Sequence, residues 1–311
     1  MTAKDRFDPQ VFKSRLGRRA LLGRLGVAGA GLALAPSLVA AQDASPELDA
    51  KILNFALNLE YLEAEYYLRA VQGRGLEDAE LGDDPGEVTG GSEVPFQTER
   101  LREFAAEIAR DEAAHVRFLR FALGSAAVSR PAINFSDAFT GAARAAGVVG
   151  ANDDFDPFAS ELGFLFGAFL FEDVGVSAYK GAAPFIGSGD YKEAAAGILA
   201  VEAYHAGNVR TQLYLEEKTK FAGQTVVEVA QKISDARDLL DGDGDADQGV
   251  KYDNPAGTEA NIVLADENAV AYGRTPRQVL NIVYLDLSGG ATPGGFFPEG
   301  LKGDFSGVPS L

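Results

Sequence analysis

The sequence predicts an all-α protein, in which a four-helix bundle with a long crossover is followed by a loop-rich C-terminal extension. Four long stretches place apolar residues at the i, i+3 and i+4 spacing of a helix that buries one face. Segments rich in glycine and proline separate these stretches into two pairs. Apolar residues make up 46% of the chain, which is enough for a substantial core. These observations together indicate two helix pairs joined by one long connection.

The predicted helices are bounded by residues that favour the start or the end of a helix. The first begins at Pro46 and contains no glycine or further proline, and Gly124 closes the second. Gly181 and Pro184 stop the third. The four helices are expected at residues 46–72, 96–123, 157–180 and 191–218.

The remaining segments divide the chain into a bundle and an extension. Residues 42–218 are expected to form the bundle, with residues 131–156 as the crossover and one short helix inside it. Residues 219–311 form the extension, where glycine, proline and aspartate are frequent. A helix at 225–240 and a short apolar turn at 276–287 are its expected ordered parts.

Residues 1–41 read as an export signal and are left out of the bundle. A basic region comes first, with Lys13, Arg15, Arg18 and Arg19. An apolar run at 25–35 and the small residues at 39–41 follow it. The arginine pair is similar to a twin-arginine signal, so we expect a periplasmic or extracellular protein. An ordinary secretory signal, or a membrane anchor if cleavage fails, are the alternatives.

Charge and composition exclude several kinds of partner and site. The chain has a net charge of −18, and residues 1–41 carry +5, which leaves about −23 after cleavage. Such an acidic protein is not expected to bind nucleic acid, or a membrane once the signal is removed. Residues 162–171 form an apolar run too short to span a bilayer. The absence of cysteine restricts any transition metal to nitrogen and oxygen ligands. No feature indicates the oligomeric state.

The chain has two histidines, and each follows a glutamate by three positions. The pairs are Glu112 with His115 and Glu202 with His205. Residues at i and i+3 share one face of a helix, so each pair can direct a carboxylate and an imidazole at one point. Both pairs lie on apolar stripes, which should face inward. Since buried carboxylates need compensation, the sequence predicts a metal site in the bundle.

The first and third helices supply further carboxylates on their apolar faces. Glu60 in the first helix and Glu172 in the third each have a tyrosine seven residues later, Tyr67 and Tyr179. Glu63 is an alternative to Glu60, because it lies one turn further along the same helix. The chain therefore repeats one unit twice, a glutamate on one helix and a Glu-x-x-His pair on the next.

This ligand pattern resembles the ferritin-like di-iron and di-manganese carboxylate proteins. Four segments are similar to bacterial ferritin-like proteins related to plant desiccation-related proteins. These segments are residues 53–57, 59–65, 278–284 and 294–298. The resemblance implies that Glu112 and Glu202 bridge two Fe or Mn ions, while Glu60, Glu172, His115 and His205 each bind one ion. It also implies that Tyr67 and Tyr179 lie near the metals, where each can donate a hydrogen bond or an electron.

Two functional hypotheses follow from these patterns. The first is an exported metalloprotein that carries out redox chemistry on O₂ or H₂O₂ in oxidative stress. Its activity would be that of an oxidase, a peroxidase or a catalase-like enzyme. Zinc, or a mixture of metals, is an alternative to Fe or Mn at the site. The second is a protein that protects against stress or desiccation, in which the bundle is purely structural.

A separate acidic loop carries a weaker indication of calcium. Its alternating aspartates could supply the oxygen ligands that Ca²⁺ requires. These residues are Asp241, Asp243, Asp245 and Asp247. The loop lacks the glycine and glutamate of an EF-hand at its sixth and twelfth positions, so a solvated acidic loop is the alternative.

Overall fold

The computed structural model describes residues 45–242, 244–254 and 257–310. The predicted export signal at 1–41 lies outside the described residues. The described residues form eight α-helices and three two-stranded sheets, which confirms the predicted all-α fold. The helices are α1 (Pro46–Gln72), α2 (Asp78–Leu81), α3 (Glu99–Leu123), α4 (Asp137–Ala145), α5 (Glu161–Ala182), α6 (Gly189–Leu215), α7 (Val226–Asp241) and α8 (Pro276–Tyr284). The strands are β1 (Val88–Thr89), β2 (Ile133–Asn134), β3 (Lys220–Phe221), β4 (Gln224–Thr225), β5 (Lys251–Asn254) and β6 (Gly257–Ala260).

Four long helices form the bundle as two pairs. Helix α1 packs against α3, and α5 packs against α6. The segment between α3 and α5 contains α4 and strand β2, which pairs in parallel with β1 from the loop after α1. The long crossover therefore runs back along the first helix pair before the second pair begins. The other two sheets are short antiparallel hairpins in the extension.

The ends of α1 follow directly from its sequence. The hydroxyl of Ser45 accepts a hydrogen bond from the backbone N–H of Leu48 at 3.1 Å, which caps the helix. Pro46 occupies the first turn, where a missing N–H breaks no helical bond. Gly73, with φ at 69°, closes the helix by donating its N–H to the carbonyl of Arg69.

Helix α5 is an apolar helix inside the protein. With the turn that follows it, the segment is long and apolar enough to cross a membrane by length and composition. However, 83% of its most apolar window is buried against the rest of the fold. Glu172 and Asp173 also lie in this helix and are buried. The segment is therefore best explained as the central helix of a bundle, which is apolar on all sides because it is enclosed.

Two asparagines of α1 hold distant loops against the bundle. Asn54 accepts from the backbone N–H of Val128 at 3.0 Å and donates to the carbonyl of Ala126 at 2.8 Å. Asn58 accepts from the N–H of Lys302 at 2.9 Å and donates to its carbonyl at 3.0 Å. Each amide satisfies a loop backbone that would otherwise lose its hydrogen bonds on burial. The crossover and the extension are therefore both tied to one helix.

Three buried arginines connect the extension to α5. Arg210 and Arg237 each donate to Oδ2 of Asp173 at 2.9 Å. Arg237 also forms an ion pair with Asp247, and Arg274 donates to Asp247 as well. Arg274 completes the group by donating to Asp241 at 2.7 Å. Three guanidinium groups thus face three carboxylates, the members being Arg210, Arg237, Arg274, Asp173, Asp241 and Asp247.

This network bears on the calcium hypothesis. Asp241 and Asp247 are buried and turned toward arginines, while Asp245 is exposed. Asp243 lies outside the described residues. Asp238, which the hypothesis did not include, can bring an oxygen close to those of Asp241 and Asp247. Since arginine side chains already neutralise the two inward aspartates, the arrangement favours an ion-pair network over a calcium loop.

The raised pKa of Asp238 leads to a testable pH effect. Partial burial and the nearby charge of Asp247 raise the pKa of Asp238 from 3.8 to about 6. The folded state therefore binds this proton more tightly than the unfolded state, so the stabilisation is complete below about pH 4 and is lost as pH rises through about 6. We expect Asp238→Asn to raise stability at pH 7 by less than about 1 kcal/mol, because the group is only partly buried and solvent screens its charge.

Urea unfolding of wild type and variant at pH 4 and pH 7 tests this expectation. Asparagine keeps the oxygen that accepts from the N–H of Ala246, so the loop retains its hydrogen bond. Asp235→Asn, at an exposed position of the same helix, is the matched control. If the difference between Asp238→Asn and wild type is the same at both pH values, the expected linkage is absent.

Candidate metal centre

The bundle brings together all six residues that the sequence predicted as metal ligands. One comes from α1, two from α3, one from α5 and two from α6, and every one is buried. They are Glu60, Glu112, His115, Glu172, Glu202 and His205. Each of the four bundle helices thus contributes through the face that its apolar stripe turns inward.

The side chains form two adjoining groups around the histidines. Nδ1 of His115 lies 3.1 Å from Glu60, 3.4 Å from Glu112 and 3.4 Å from Glu202. Nδ1 of His205 lies 2.9 Å from Glu112 and 3.7 Å from Glu172. Within each group, the possible ligand atoms lie within 4.8 Å of one another.

Glu112 belongs to both groups. Its Oε2 faces Nδ1 of His115, and its Oε1 faces Nδ1 of His205. A carboxylate that directs its two oxygens at two different nitrogen ligands has the geometry needed to bridge two cations. Glu202 also stands between the groups, because it can join His115 on one side and Glu172 on the other.

Glu63 also reaches the centre, which the sequence alone did not settle. Its carboxylate forms a third possible group with Glu172 and Glu202. Glu60 contacts His115. Glu60 and Glu63, the two candidates from α1, therefore both face the centre. Their spacing of three positions is a signal for a shared helix face, and it could have predicted both residues.

Two tyrosines connect the helix pairs at the centre. Tyr67 of α1 donates its hydroxyl to Oε1 of Glu172 on α5. Tyr179 of α5 donates in turn to Oε1 of Glu60 on α1. Each tyrosine therefore bonds the glutamate that precedes the other tyrosine by seven positions, and this reciprocal contact follows the internal repeat of the sequence.

The donor atoms of the centre are poorly satisfied by the rest of the protein. Both oxygens of Glu112, both oxygens of Glu202, Oε2 of Glu172 and Nδ1 of His205 are buried, and none has a well-formed hydrogen bond within the described part of the chain. Burying such atoms without partners is strongly unfavourable. Carboxylates and imidazoles are also the ligands that Fe and Mn accept. The residues present therefore fit a pair of divalent metal ions.

Comparison with known families agrees with this architecture. The sequence profile of the ferritin-like domain family matches residues 48–215, more than half of the chain. The chain belongs to this ferritin-like family. The matched region begins in α1 and ends at the last residue of α6, so it covers all four bundle helices.

Two curated relatives extend the similarity into the extension. The chain is 32% identical over 251 residues to the desiccation-related protein PCC13-62 of Craterostigma plantagineum, covering 77% of this chain and 78% of the relative. It is 28% identical over 270 residues to the ferritin-like catalase Nec2 of Nesocodon mauritianus, covering 83% and 84%. No solved structure matches the chain at a significant level.

Burial sets the electrostatics of this ferritin-like centre. Burial raises the pKa of Glu60 to about 8, against the opposing effect of His115. It also raises the pKa of Glu63, Glu172 and Glu202, and the neighbouring carboxylates add to this effect. Negative charge is therefore crowded at the centre beyond what the protein compensates.

Glu112 and the histidines show the opposite behaviour. Burial would raise the pKa of Glu112, but the adjacent His115 and His205 outweigh it and lower the pKa below its usual value. Burial likewise opposes the positive charge of both imidazoles, yet the carboxylates around them raise their pKa well above 6.5. Two protons thus balance part of the negative charge, and metal binding at the same nitrogens would release them.

Asp111 is a residue of this site that sequence reasoning missed. Its Oδ2 lies 3.4 Å from Nε2 of His205, while Nδ1 of the same ring faces Glu112 and Glu172. A carboxylate at the outer nitrogen fixes the tautomer and orientation of a metal-binding imidazole. The sequence signal for Asp111 is its position directly before Glu112. Its contact with His205 could not be read from local spacing, because that histidine is on another helix.

Gly175 leaves the space that the carboxylates occupy. A Cβ at this position would lie 2.5 Å from Oε2 of Glu202 and 3.2 Å from Oε1 of Glu63. Glycine in a helix is less stable than alanine by about 1 kcal/mol, so an interior glycine needs a compensating reason. Room for two carboxylates beside the centre provides that reason.

We expect Gly175→Ala to weaken metal binding about tenfold or more, since it displaces the carboxylate of Glu202. The metal-free variant should retain its thermal stability, because alanine favours the helix. Competition with a chelator measures the affinity, and calorimetry of the metal-free protein measures the stability. Gly197→Ala is the matched control, since the added Cβ would have no neighbour within 4 Å other than the adjacent backbone of its own helix. Equal affinities in the two variants would contradict the expectation.

Proposed function

We propose that this ferritin-like chain binds two Fe or Mn ions in the bundle and carries out redox chemistry on O₂ or H₂O₂. The observation that carries the proposal is the geometry of Glu112, whose two oxygens face two different histidines. Neither of those oxygens has a hydrogen-bond partner that meets normal geometry within the described residues. A pair of dications would compensate them and the crowded carboxylates around them.

Each residue has a defined part in this proposal. Glu112 and Glu202 would bridge the ions, while the remaining four predicted ligands would each bind one ion. Two such ions, when bound, would supply the electron exchange that reactions of O₂ or H₂O₂ require. Glu63 would add a further carboxylate on the side of Glu172 and Glu202.

The two tyrosines would hold protons at the edge of the centre. Burial raises the pKa of Tyr67 and Tyr179 well above 10, and the adjacent glutamates add to this effect. Both phenols therefore stay protonated and donate to Oε1 of Glu172 and Oε1 of Glu60. These bonds orient the terminal carboxylates and leave their other oxygens for metal. Enclosure of the whole site would keep bulk water away from the reaction.

Decomposition of H₂O₂ is the activity to test first, because one relative is named a ferritin-like catalase. The desiccation-related name of the other relative and the acidic composition favour a second candidate, a protective protein without catalysis. Export through the twin-arginine route remains part of the proposal, since an exported protein could receive its metal before leaving the cytosol.

Elemental analysis of protein produced with its predicted export signal tests the proposal. We expect about two Fe or Mn ions per chain. Oxygen release from H₂O₂, followed with an oxygen electrode, then tests the catalase-like reaction. Metal-loaded protein that consumes O₂ but releases none from H₂O₂ would indicate an oxidase instead. Protein that contains no metal and takes up neither Fe²⁺ nor Mn²⁺ would leave the protective function as the explanation.

A further inference from the structure

The two halves of the bundle repeat one another around the candidate metal centre. Helix α5 repeats the glutamate and the tyrosine of α1, and α6 repeats the Glu-x-x-His pair of α3. The contacts repeat as well, because each tyrosine bonds the glutamate of the other half. The corresponding residues are Glu60 and Glu172, Tyr67 and Tyr179, Glu112 and Glu202, and His115 and His205. A difference in affinity between the two metal positions is therefore expected to come from places where the repeat is broken.

The repeat is first broken at Glu63. This residue lies three positions after Glu60, whereas the residue three positions after Glu172 is Gly175. One half thus supplies a carboxylate where the other supplies only a hydrogen atom. The two departures fit each other, since a Cβ on Gly175 would lie 3.2 Å from Oε1 of Glu63. The glycine therefore leaves room for the extra carboxylate.

The carboxylate of Glu63 belongs to one side of the centre. Glu63, Glu172 and Glu202 can bring ligand oxygens within 4.8 Å of one another. Glu202 is shared between the two sides, whereas Glu172 belongs to the group around His205. Among the described residues, the group around His115 does not include Glu63. The extra carboxylate is therefore available to the ion at Glu172 and His205.

The repeat is broken again at Asp111. This residue directly precedes Glu112, whereas Val201 takes the equivalent place before Glu202. Oδ2 of Asp111 lies 3.4 Å from Nε2 of His205. In the part of the chain that the structure describes, the carboxylates around His115 all face its Nδ1. The outer nitrogen of one histidine thus has a carboxylate partner, and the repeat offers the other histidine a valine.

Both departures favour the same metal position. A further carboxylate adds an oxygen ligand and a negative charge, and both strengthen the binding of a dication such as Mn²⁺. A carboxylate on the outer nitrogen of an imidazole fixes the ring for metal binding, and loss of such a partner costs about 10–100-fold in affinity. Glu63 and Asp111 both act on the position of Glu172 and His205.

We propose that the two metal positions are inequivalent, and that the ion at Glu172 and His205 binds first and more tightly. Glu63 is a direct ligand in this arrangement, and Asp111 is a residue that positions His205. This inference rests on the function proposed above, because it concerns the same centre. A chain with one ion holds it at His205, and the ion at His115 is the one that exchanges more readily.

Calorimetric titration of the full-length, metal-free protein with Mn²⁺ tests the inequality. We expect two binding steps whose dissociation constants differ by about tenfold or more. Glu63→Gln and Asp111→Asn should each weaken the first step by about tenfold or more and leave the second nearly unchanged. Glu103→Gln, at an exposed position of α3, is the matched control and should bind like wild type.

The histidines report which position is filled first. The chain has only two, so ¹⁵N labelling of histidine gives NMR signals from two rings, and His115→Gln identifies them. Zn²⁺ is a suitable probe because it is diamagnetic and binds imidazole and carboxylate. One equivalent of Zn²⁺ should bring the signals of His205 to their final positions. The signals of His115 should move mainly with the second equivalent.

Completing the repeat provides a test in the opposite direction. Val201→Asp introduces a carboxylate at the place that corresponds to Asp111, so it should strengthen the second step by about tenfold. Val201→Asn has the same shape without the charge and is the matched control. Its effect on the second step should be smaller.

The outcomes separate this inference from the proposed function. Protein that takes up neither Mn²⁺ nor Zn²⁺ would contradict both. Two ions bound with equal affinity, or signals of both rings that move together, would preserve the metal centre and overturn the inequality. A loss confined to the second step in Glu63→Gln and Asp111→Asn would overturn it too, because both residues would then serve the ion at His115.

Discussion

Substituting Glu112 by glutamine is expected to remove both of the proposed metal ions, with affinity falling at least about 100-fold. Loss of an outer-shell partner alone costs 10–100-fold, and Glu112 would be a direct ligand of both ions. The variant keeps the size of the side chain but replaces one of the two oxygens that face His115 and His205. Metal content after dialysis against a chelator measures the effect. Glu103→Gln, at an exposed position of the same helix, is the matched control.

The metal-free protein offers an independent check of the same residue. Because the histidines lower the pKa of Glu112, its negative charge stabilises the metal-free fold, and Glu112→Gln should lower the melting temperature. The pKa of Glu63 is raised instead, so Glu63→Gln should increase the melting temperature of the metal-free protein. Opposite shifts are expected only if the two carboxylates occupy the different environments described above. Shifts of the same sign, or retention of two ions by Glu112→Gln, would contradict the assignment.

Asp173→Asn is expected to lower the free energy of unfolding by about 3–5 kcal/mol, because it removes the negatively charged partner of a buried ion pair and leaves the positive charge in place. Arg210 and Arg237 both donate to this carboxylate, and all three side chains are almost fully buried. Removing the negative charge leaves an excess of positive charge in the interior. Urea unfolding of the metal-free protein measures the loss, and metal content reports whether the neighbouring Glu172 is displaced as well.

The control for this variant is Asp235→Asn, which removes a carboxylate at an exposed position of α7. Its effect should stay within about 0.5 kcal/mol, as for most surface substitutions. A similarly small effect of Asp173→Asn would mean that the remaining aspartates compensate both arginines. The extension would then be held to α5 by its apolar contacts rather than by this network.

The bundle could be predicted from the sequence because local signals determine most of it. Helix α1 begins and ends at the predicted residues, since Ser45, Pro46 and Gly73 act on their immediate neighbours. Helix α3 begins at Glu99 rather than at residue 96. The carboxylate of Glu161, 63 or more positions away, accepts the backbone N–H groups of Gln97 and Thr98 and holds them outside the helix. Such a long-range contact leaves no trace in local spacing.

The same distinction applies to the centre and to the extension. Helical periodicity was sufficient to place Glu60, Glu112 and Glu172 on inward faces. Whether Glu63 also reaches the centre depends on side-chain rotamers and on the space beside Gly175, which sequence spacing does not contain. Likewise, the aspartates interpreted as a calcium loop meet arginines far away in the chain, such as Arg274.

The bond between Asn58 and Lys302 has a consequence for how the chain is made. The two residues are 244 positions apart, so at usual rates of synthesis Asn58 is made roughly 10–50 s before Lys302. During that interval the amide of Asn58 lacks the loop backbone that it bonds in the folded protein. Completion of the fold, with the C-terminal segment bonded to α1, is therefore expected only after nearly the whole chain has been synthesised.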